Sequence, residues 1–127
     1  MKLLGIDYGA KRVGVAVADT DAGLSFPKAV FPNDKFLLGE IKNLCQEKGI
    51  EKIILGESKN LKGEQNEIMQ DIEAFKKMLE LDLHIKVIYQ PEFYSTAQAA
   101  RIQGENDKTD ASAAAIILQS YLDRYKK

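Results

Sequence analysis

Three carboxylates in this sequence stand where a carboxylate can hold a cation. Asp7 closes a first apolar run, Leu3 to Tyr8, and Glu92 lies three residues past a later one, HIKVIY. Asp110 opens a final helix, DASAAAIILQSYLDRY. In open α/β sheets, ligands collect beyond the carboxyl ends of strands. Asp7 and Glu92 fall on that edge, and Asp110 joins them if the last helix docks with its N-terminus there. Three gathered acids repel one another and lose hydration, so a cation is needed to offset both effects. Hard divalent cations prefer oxygen ligands, and Mg²⁺ commonly takes one or two carboxylates plus substrate phosphates. Asp107, at Asp-x-x-Asp spacing before Asp110, is a fourth oxygen donor if its loop turns inward. A thiolate or imidazole centre is disfavoured, because His84 and Cys45 are the only residues of their types and lack metal spacing.

Each acid also has a plainer reading. Asp7 can cap the turn YGAK, Asp110 can serve as a helix N-cap, and Glu92 can be a solvated loop acid after Pro91. The polar residues nearby divide the same way. Lys11 and Arg12 follow the hairpin glycine and lie near Asp7, where they could meet a phosphate or simply solvate a turn. Lys59, Asn60 and Lys62 sit in a loop after a strand end, within reach of a nucleic-acid backbone or of water alone. Ser95 and Thr96 could donate to a phosphate or cap the helix that follows them.

The elements that must place these residues form one α/β pattern over residues 1–127, read as a single domain. Leu3 to Tyr8 reads as a strand, and Val13, Val15 and Val17 alternate with Gly14, Ala16 and Ala18 in a second. YGAKR between them fits a hairpin, and the small-residue face of the second strand leaves room for a helix. LSFPKAVF reads as a third strand, with Pro27 marking an edge or a bulge. Asn33 or Asp34 is then expected to cap a helix whose buried face is Leu37, Ile41, Leu44 and Cys45, ending at Gly49. EKIILG reads as a buried strand and ESKNLKG as a loop. Glu64 to Leu81 reads as a helix with Ile68, Ile72, Phe75 and Leu79 on one stripe. HIKVIY is a fifth strand broken by QPE, Tyr94 to Gln103 a helix, ENDKT a loop, and Asp110 the start of the last helix. Three hairpin-linked strands followed by alternating strands and helices predict a mixed five-stranded sheet, three strands antiparallel and two parallel, flanked by helices.

Composition narrows the function classes. The net charge of −1 argues against a broad polyanion binder, though not against a compact site that holds phosphates through metal ions. A lone cysteine excludes an internal disulfide and fits a cytoplasmic protein. No apolar stretch reaches the ~20 residues of a membrane span, and MKLLGID lacks the features of a signal peptide.

GIDYGAKRVGVAVAD, GESKNLKGEQNE, QPEFYSTAQAAR and TDASAAAIILQSYLD occur in the order and spacing of the YqgF family, also described as RuvX-like or Holliday-junction-resolvase-like. The resemblance covers nearly the whole chain. It implies an RNase H-like fold, and members are implicated in maturing the 5′ end of precursor small-subunit (16S) ribosomal RNA. It further implies that Asp7, Glu92 and Asp110 form an acidic Mg²⁺ or Mn²⁺ site for phosphodiester hydrolysis. In a two-metal site of that type Asp7, central and held on a strand, is best placed to bridge both ions. Asp107 also has a plainer reading, as a loop acid. The sequence departs from the family in two places. Gly56-Glu57-Ser58-Lys59-Asn60 stands where Gly-Leu-Pro leads to Asn, with Lys62 replacing a usual Asp. Pro91-Glu92-Phe93-Tyr94-Ser95-Thr96 stands where Asp-Glu-Arg-Leu-Thr-Thr is usual, so Phe93 replaces an arginine fork that can grip two phosphate oxygens.

Gly9-x-x-x-x-Gly14 is half a P-loop, but Val15 and Ala16 occupy the Lys and Ser/Thr positions. An Asp-x-Gly turn after a strand also resembles the actin-like ATPase and sugar-kinase superfamily, which needs a second lobe. A binding domain for RNA or ribosomal precursor particles without turnover is the non-enzyme alternative. A Holliday junction resolvase acting on branched DNA is the other nuclease. It needs a two-fold homodimer, whereas an RNA nuclease can be a monomer. The modest charge and the absence of an obvious dimer seam favour RNA over branched DNA.

Overall fold

The computed structural model describes residues 1–59, 68–93 and 108–125, with backbone alone at 58–59, 92–93, 108–110 and 125. The expected helix over 94–103, the loop residues Asn60 and Lys62, and Ser95, Thr96 and Asp107 lie outside the described residues. Five strands form one sheet: β1 (Lys2–Tyr8), β2 (Arg12–Asp19), β3 (Leu24–Pro32), β4 (Lys52–Lys59) and β5 (Lys86–Phe93). Their order is β3-β2-β1-β4-β5, with β1–β2 and β2–β3 antiparallel and β1–β4 and β4–β5 parallel. This is the mixed sheet expected from the sequence.

Strand alternation sorts the core into two layers. Leu4, Ile6, Val13, Val15, Ile53, Leu55 and Val87 face α1 (Leu37–Lys48) and α2 (Met69–Leu83). Leu3, Ala16, Ala18 and Ile54 face α3 (Lys108–Tyr125). The small side of β2 therefore does admit a helix. Fully buried residues such as Ile41, Ile53 and Leu55 each contribute about 1.5–3 kcal/mol of transfer free energy. Leu37, Ile41, Leu44 and Cys45 are the buried face of α1, and the helix ends at Gly49, both as expected. Burial pushes the Cys45 thiol up to about 11. A disulfide-exchange reagent at pH 8 should therefore leave native Cys45 untouched and label it once urea unfolds the chain. Fast labelling of folded protein would show that α1 opens.

Pro27 lies both at an edge and at a bulge. Val15 pairs with Ala29 and Ala16 with Pro27, so Lys28 is the extra residue on edge strand β3. The chain's other prolines, Pro32 and Pro91, also fall on the two edge strands.

Several boundaries differ from the expected ones. The N-cap position of α1 is Phe36, without a side-chain cap. Asp34 instead accepts the Phe36 N–H at 2.9 Å, and the Asn33 amide donates to the Gly9 carbonyl at 2.8 Å, tying β3 to the β1–β2 turn. α2 extends two residues further, to Leu83, and its described part begins at Met69. His84 closes it in the left-handed region (φ 56°), rather than opening a strand, and donates its backbone N–H to Glu80 O.

β4 and β5 both outrun their apolar stretches. Glu57–Lys59, read as loop, pair with Pro91–Phe93. QPE therefore continues β5 instead of breaking it, which an edge strand permits because one side needs no partner. The described part of α3 begins at Lys108, so Asp110 lies within the helix and is not its N-cap.

Candidate active site

The β1–β4 ladder runs from Leu3–Lys52 to Ile6–Leu55 and stops there, whereas β4 and β5 stay paired to Lys59–Phe93. Asp7 is the next residue of β1, still paired with Gly14 of β2. It thus occupies the point where the antiparallel and parallel halves of the sheet separate, at the carboxyl end of the central strand. Crevices of this kind at a switch in strand order are where α/β sheets bind ligands. Asp7 is half-buried, and alternation sets it in line with Leu3 and Gly5 on the α3 side.

α3 is seated close to the sheet because glycines clear its path. A Cβ at position 5 would stand 2.8 Å from Leu118 Cβ and 3.0 Å from the Ala114 carbonyl oxygen, and one at position 56 would stand 2.7 Å from Ile117 Cδ1. Ser25 adds a hydroxyl bond of 2.6 Å to the Ala115 carbonyl, and the Ser25 N–H donates to Gln119 Oε1 at 3.0 Å. Asp7 lies two residues beyond Gly5, and Asp110 lies one helical turn before Ala114. Each acid's α-carbon is therefore within about 7 Å of its own partner in the Gly5–Ala114 contact.

Glu92 lies in β5, level with Ser58 of β4 and in the row that carries Ile88 and the buried Gln90. Asp7 and Glu92 thus stand at the same sheet edge, two strands apart, and Asp110 stands near the start of the described part of the helix laid across that face. Lys11 and Arg12 are exposed at the β1–β2 turn beside Asp7, and Lys59 ends β4. The roles of Gly5 and Gly56 were missed from the sequence. Their signal was a glycine inside an otherwise apolar strand, which marks a close approach by another backbone, and at Gly5 an acid stands two residues on in the same row.

The nitrogen and sulfur donors are elsewhere. His84 precedes β5, at the opposite end from the crevice, and Cys45 is in the α1 core. Among the described residues, no three His, Cys, Asp or Glu side chains form a metal cluster. Tyr89 belongs to the α1/α2 layer, under the Lys76 ammonium at 5.7 Å. Burial, then the charges of Glu73, Glu57 and Glu80, hold its phenol above the ordinary value.

The family described as "RuvX: Holliday junction resolvase" matches residues 1–124. The chain belongs to the RuvX (YqgF) family. A RuvX relative from Streptococcus uberis is 32% identical, over 98% of this chain and 99% of its own length. One from Agathobacter rectalis is 35% identical over 97% and 95%. Both bear the name "Putative pre-16S rRNA nuclease". Among solved structures, Thermus thermophilus RuvC superposes with a TM-score of 0.62 at 13% identity, over 99% of this chain and 96% of that one. The Fowlpox virus resolvase, solved with Holliday junction DNA, gives 0.59 at 15%, over the whole of both chains. The fold of this RuvX chain is therefore the RuvC-like, RNase H-like one expected. Among the described residues, no helix is long and apolar enough to cross a membrane.

Proposed function

We propose that the chain is a divalent-metal-dependent nuclease that hydrolyses phosphodiester bonds in maturing the 5′ end of pre-16S ribosomal RNA. The observation that carries this reading is the placement of Asp7 where the β1–β4 ladder parts, on the face crossed by the helix that bears Asp110. Family membership and the names of the relatives support the substrate.

The donors at this edge are carboxylates, and they fit a hard cation such as Mg²⁺ or Mn²⁺ better than a soft one. Asp7, Glu92 and Asp110 would hold it, with Asp107 as a further ligand. Such an ion supplies Lewis-acid polarisation of the phosphodiester and a nucleophilic water at neutral pH. The protein residues bind and orient. Lys11 and Arg12 grip the phosphate chain beside Asp7. Lys59, Asn60, Lys62, Ser95 and Thr96 extend that contact along the strand ends, with ribosomal precursor particles as the setting. The single imidazole, His84, is too remote to act as a base.

The test compares substrates side by side. With Mg²⁺ or Mn²⁺, the purified protein should cut precursor or single-stranded RNA in preference to a four-way DNA junction. Preference for the junction, together with a stable two-fold dimer in solution, would establish a resolvase instead. Metal-dependent binding without cleavage of either would leave a binding domain.

A further inference from the structure

We propose that a cavity on the opposite face of the same sheet edge takes an unstacked base of a single-stranded substrate. The inference rests on the nuclease reading and gives it a subsite. The cavity has a volume of about 230 Å³ and lies between the start of α1 and the side of α2. Tyr8 and Phe75 form an aromatic wall, their ring centroids 5.0 Å apart, and Leu38 and Met78 add apolar surface. Asp34, Lys35 and Asp71, all exposed, stand at its rim.

The chemistry of this lining selects a base rather than a phosphate. Aromatic and apolar walls match the faces of a nucleobase, and stacking on such side chains tolerates any base. The Asp34 and Asp71 carboxylates accept from exocyclic amines and repel phosphate. Lys35, with its ammonium 5.3 Å above the exposed Phe36 ring, supplies a cation at the mouth for the backbone that stays outside.

Position completes the argument. Tyr8 follows Asp7 directly in β1, and alternation sends the two side chains to opposite faces. A nucleic-acid strand crossing the end of β1 can therefore pass Asp7 on one face and lodge a neighbouring base on the other. A base held in a duplex cannot enter, so the cavity favours a single strand over a duplex.

The test fills the cavity. Ala74 lines it from an exposed site on α2, and Ala74→Leu keeps a strong helix former there. Binding of a fluorescein-labelled single-stranded RNA is measured by anisotropy in EDTA, beside the same sequence as a duplex. The variant should bind the single strand about tenfold more weakly and the duplex as well as the wild type does. Unchanged single-strand affinity, or equal loss for both forms, overturns the proposal. Ala74→Met serves equally if the leucine variant misfolds. Cleavage is assayed in parallel with Mg²⁺. Selective loss of single-strand binding in a protein that cuts nothing upholds the cavity and defeats the nuclease reading, whereas normal cleavage with unaltered binding does the reverse.

Discussion

Asp7→Asn should abolish Mg²⁺-dependent cleavage, lowering the rate at least about a thousandfold, while the fold survives. The substitution is nearly isosteric, and Asp7 is only half-buried at a strand end, so the core loses nothing. It removes the negative charge at the one position that the ladder's end places in the crevice. An amide keeps a carbonyl oxygen but cannot balance a divalent cation as a carboxylate does. The readout is single-turnover RNA cleavage, with circular dichroism and melting confirming structure. Cleavage within about tenfold of wild type would remove Asp7 from the site and end the case for catalysis at this edge. A turn-capping role alone would show the opposite pattern, with a lower melting temperature and little change in rate.

Gly5→Ala should destabilise the protein by about 2–3 kcal/mol, a fall of roughly 10 °C in melting temperature for a chain of this size. The new methyl would meet Leu118 Cβ at 2.8 Å and the Ala114 carbonyl at 3.0 Å. One is the stem of a side chain and the other is helix backbone, so neither can yield without moving α3. Gly56→Ala gives the contrast. Its methyl would meet only Ile117 Cδ1 at close range, 2.7 Å, and the tip of that side chain can turn away. Its cost should stay near or below about 1 kcal/mol, and Ile117→Val, which deletes the clashing atom, should recover it. Denaturant melts of the four proteins decide this. A Gly5→Ala protein as stable as wild type would mean that α3 does not sit where the structure puts it. Because α3 also carries Asp110, Gly5→Ala should lose activity beyond its stability loss.

The apolar framework was legible because hydrophobic period reports burial. The valine–alanine alternation of β2 and the Leu37–Ile41–Leu44–Cys45 stripe both proved to be the faces they described. The ends of elements were not legible in the same way. Glu57–Lys59 and Gln90–Glu92 continue a backbone ladder past the core, where polar side chains leave no apolar signal. Pro91 read as a breaker because its place on an edge strand cannot be known before strand order. Asp34 and Asn33 read as caps, but Asn33 is held by Gly9, a partner distant in sequence.

For the site, the chemistry of each acid was readable one residue at a time, and Asp7 was correctly placed at a strand end. Their common edge follows from strand order and from how α3 lies on the sheet, which are properties of the whole fold. The family resemblance implies the same grouping. The Tyr8–Phe75 cavity had no local signature, since its walls come from three segments.

All three prolines lie on β3 and β5, the outermost strands, and a bulge at Lys28 bends one of them. Each imino acid removes a donor from the rim that a foreign strand would need in order to zip on. Sheet-to-sheet extension and templated fibre growth are thereby hindered on both flanks. Among the described residues, self-association is then left to the helical faces, away from the strand tips that carry Asp7.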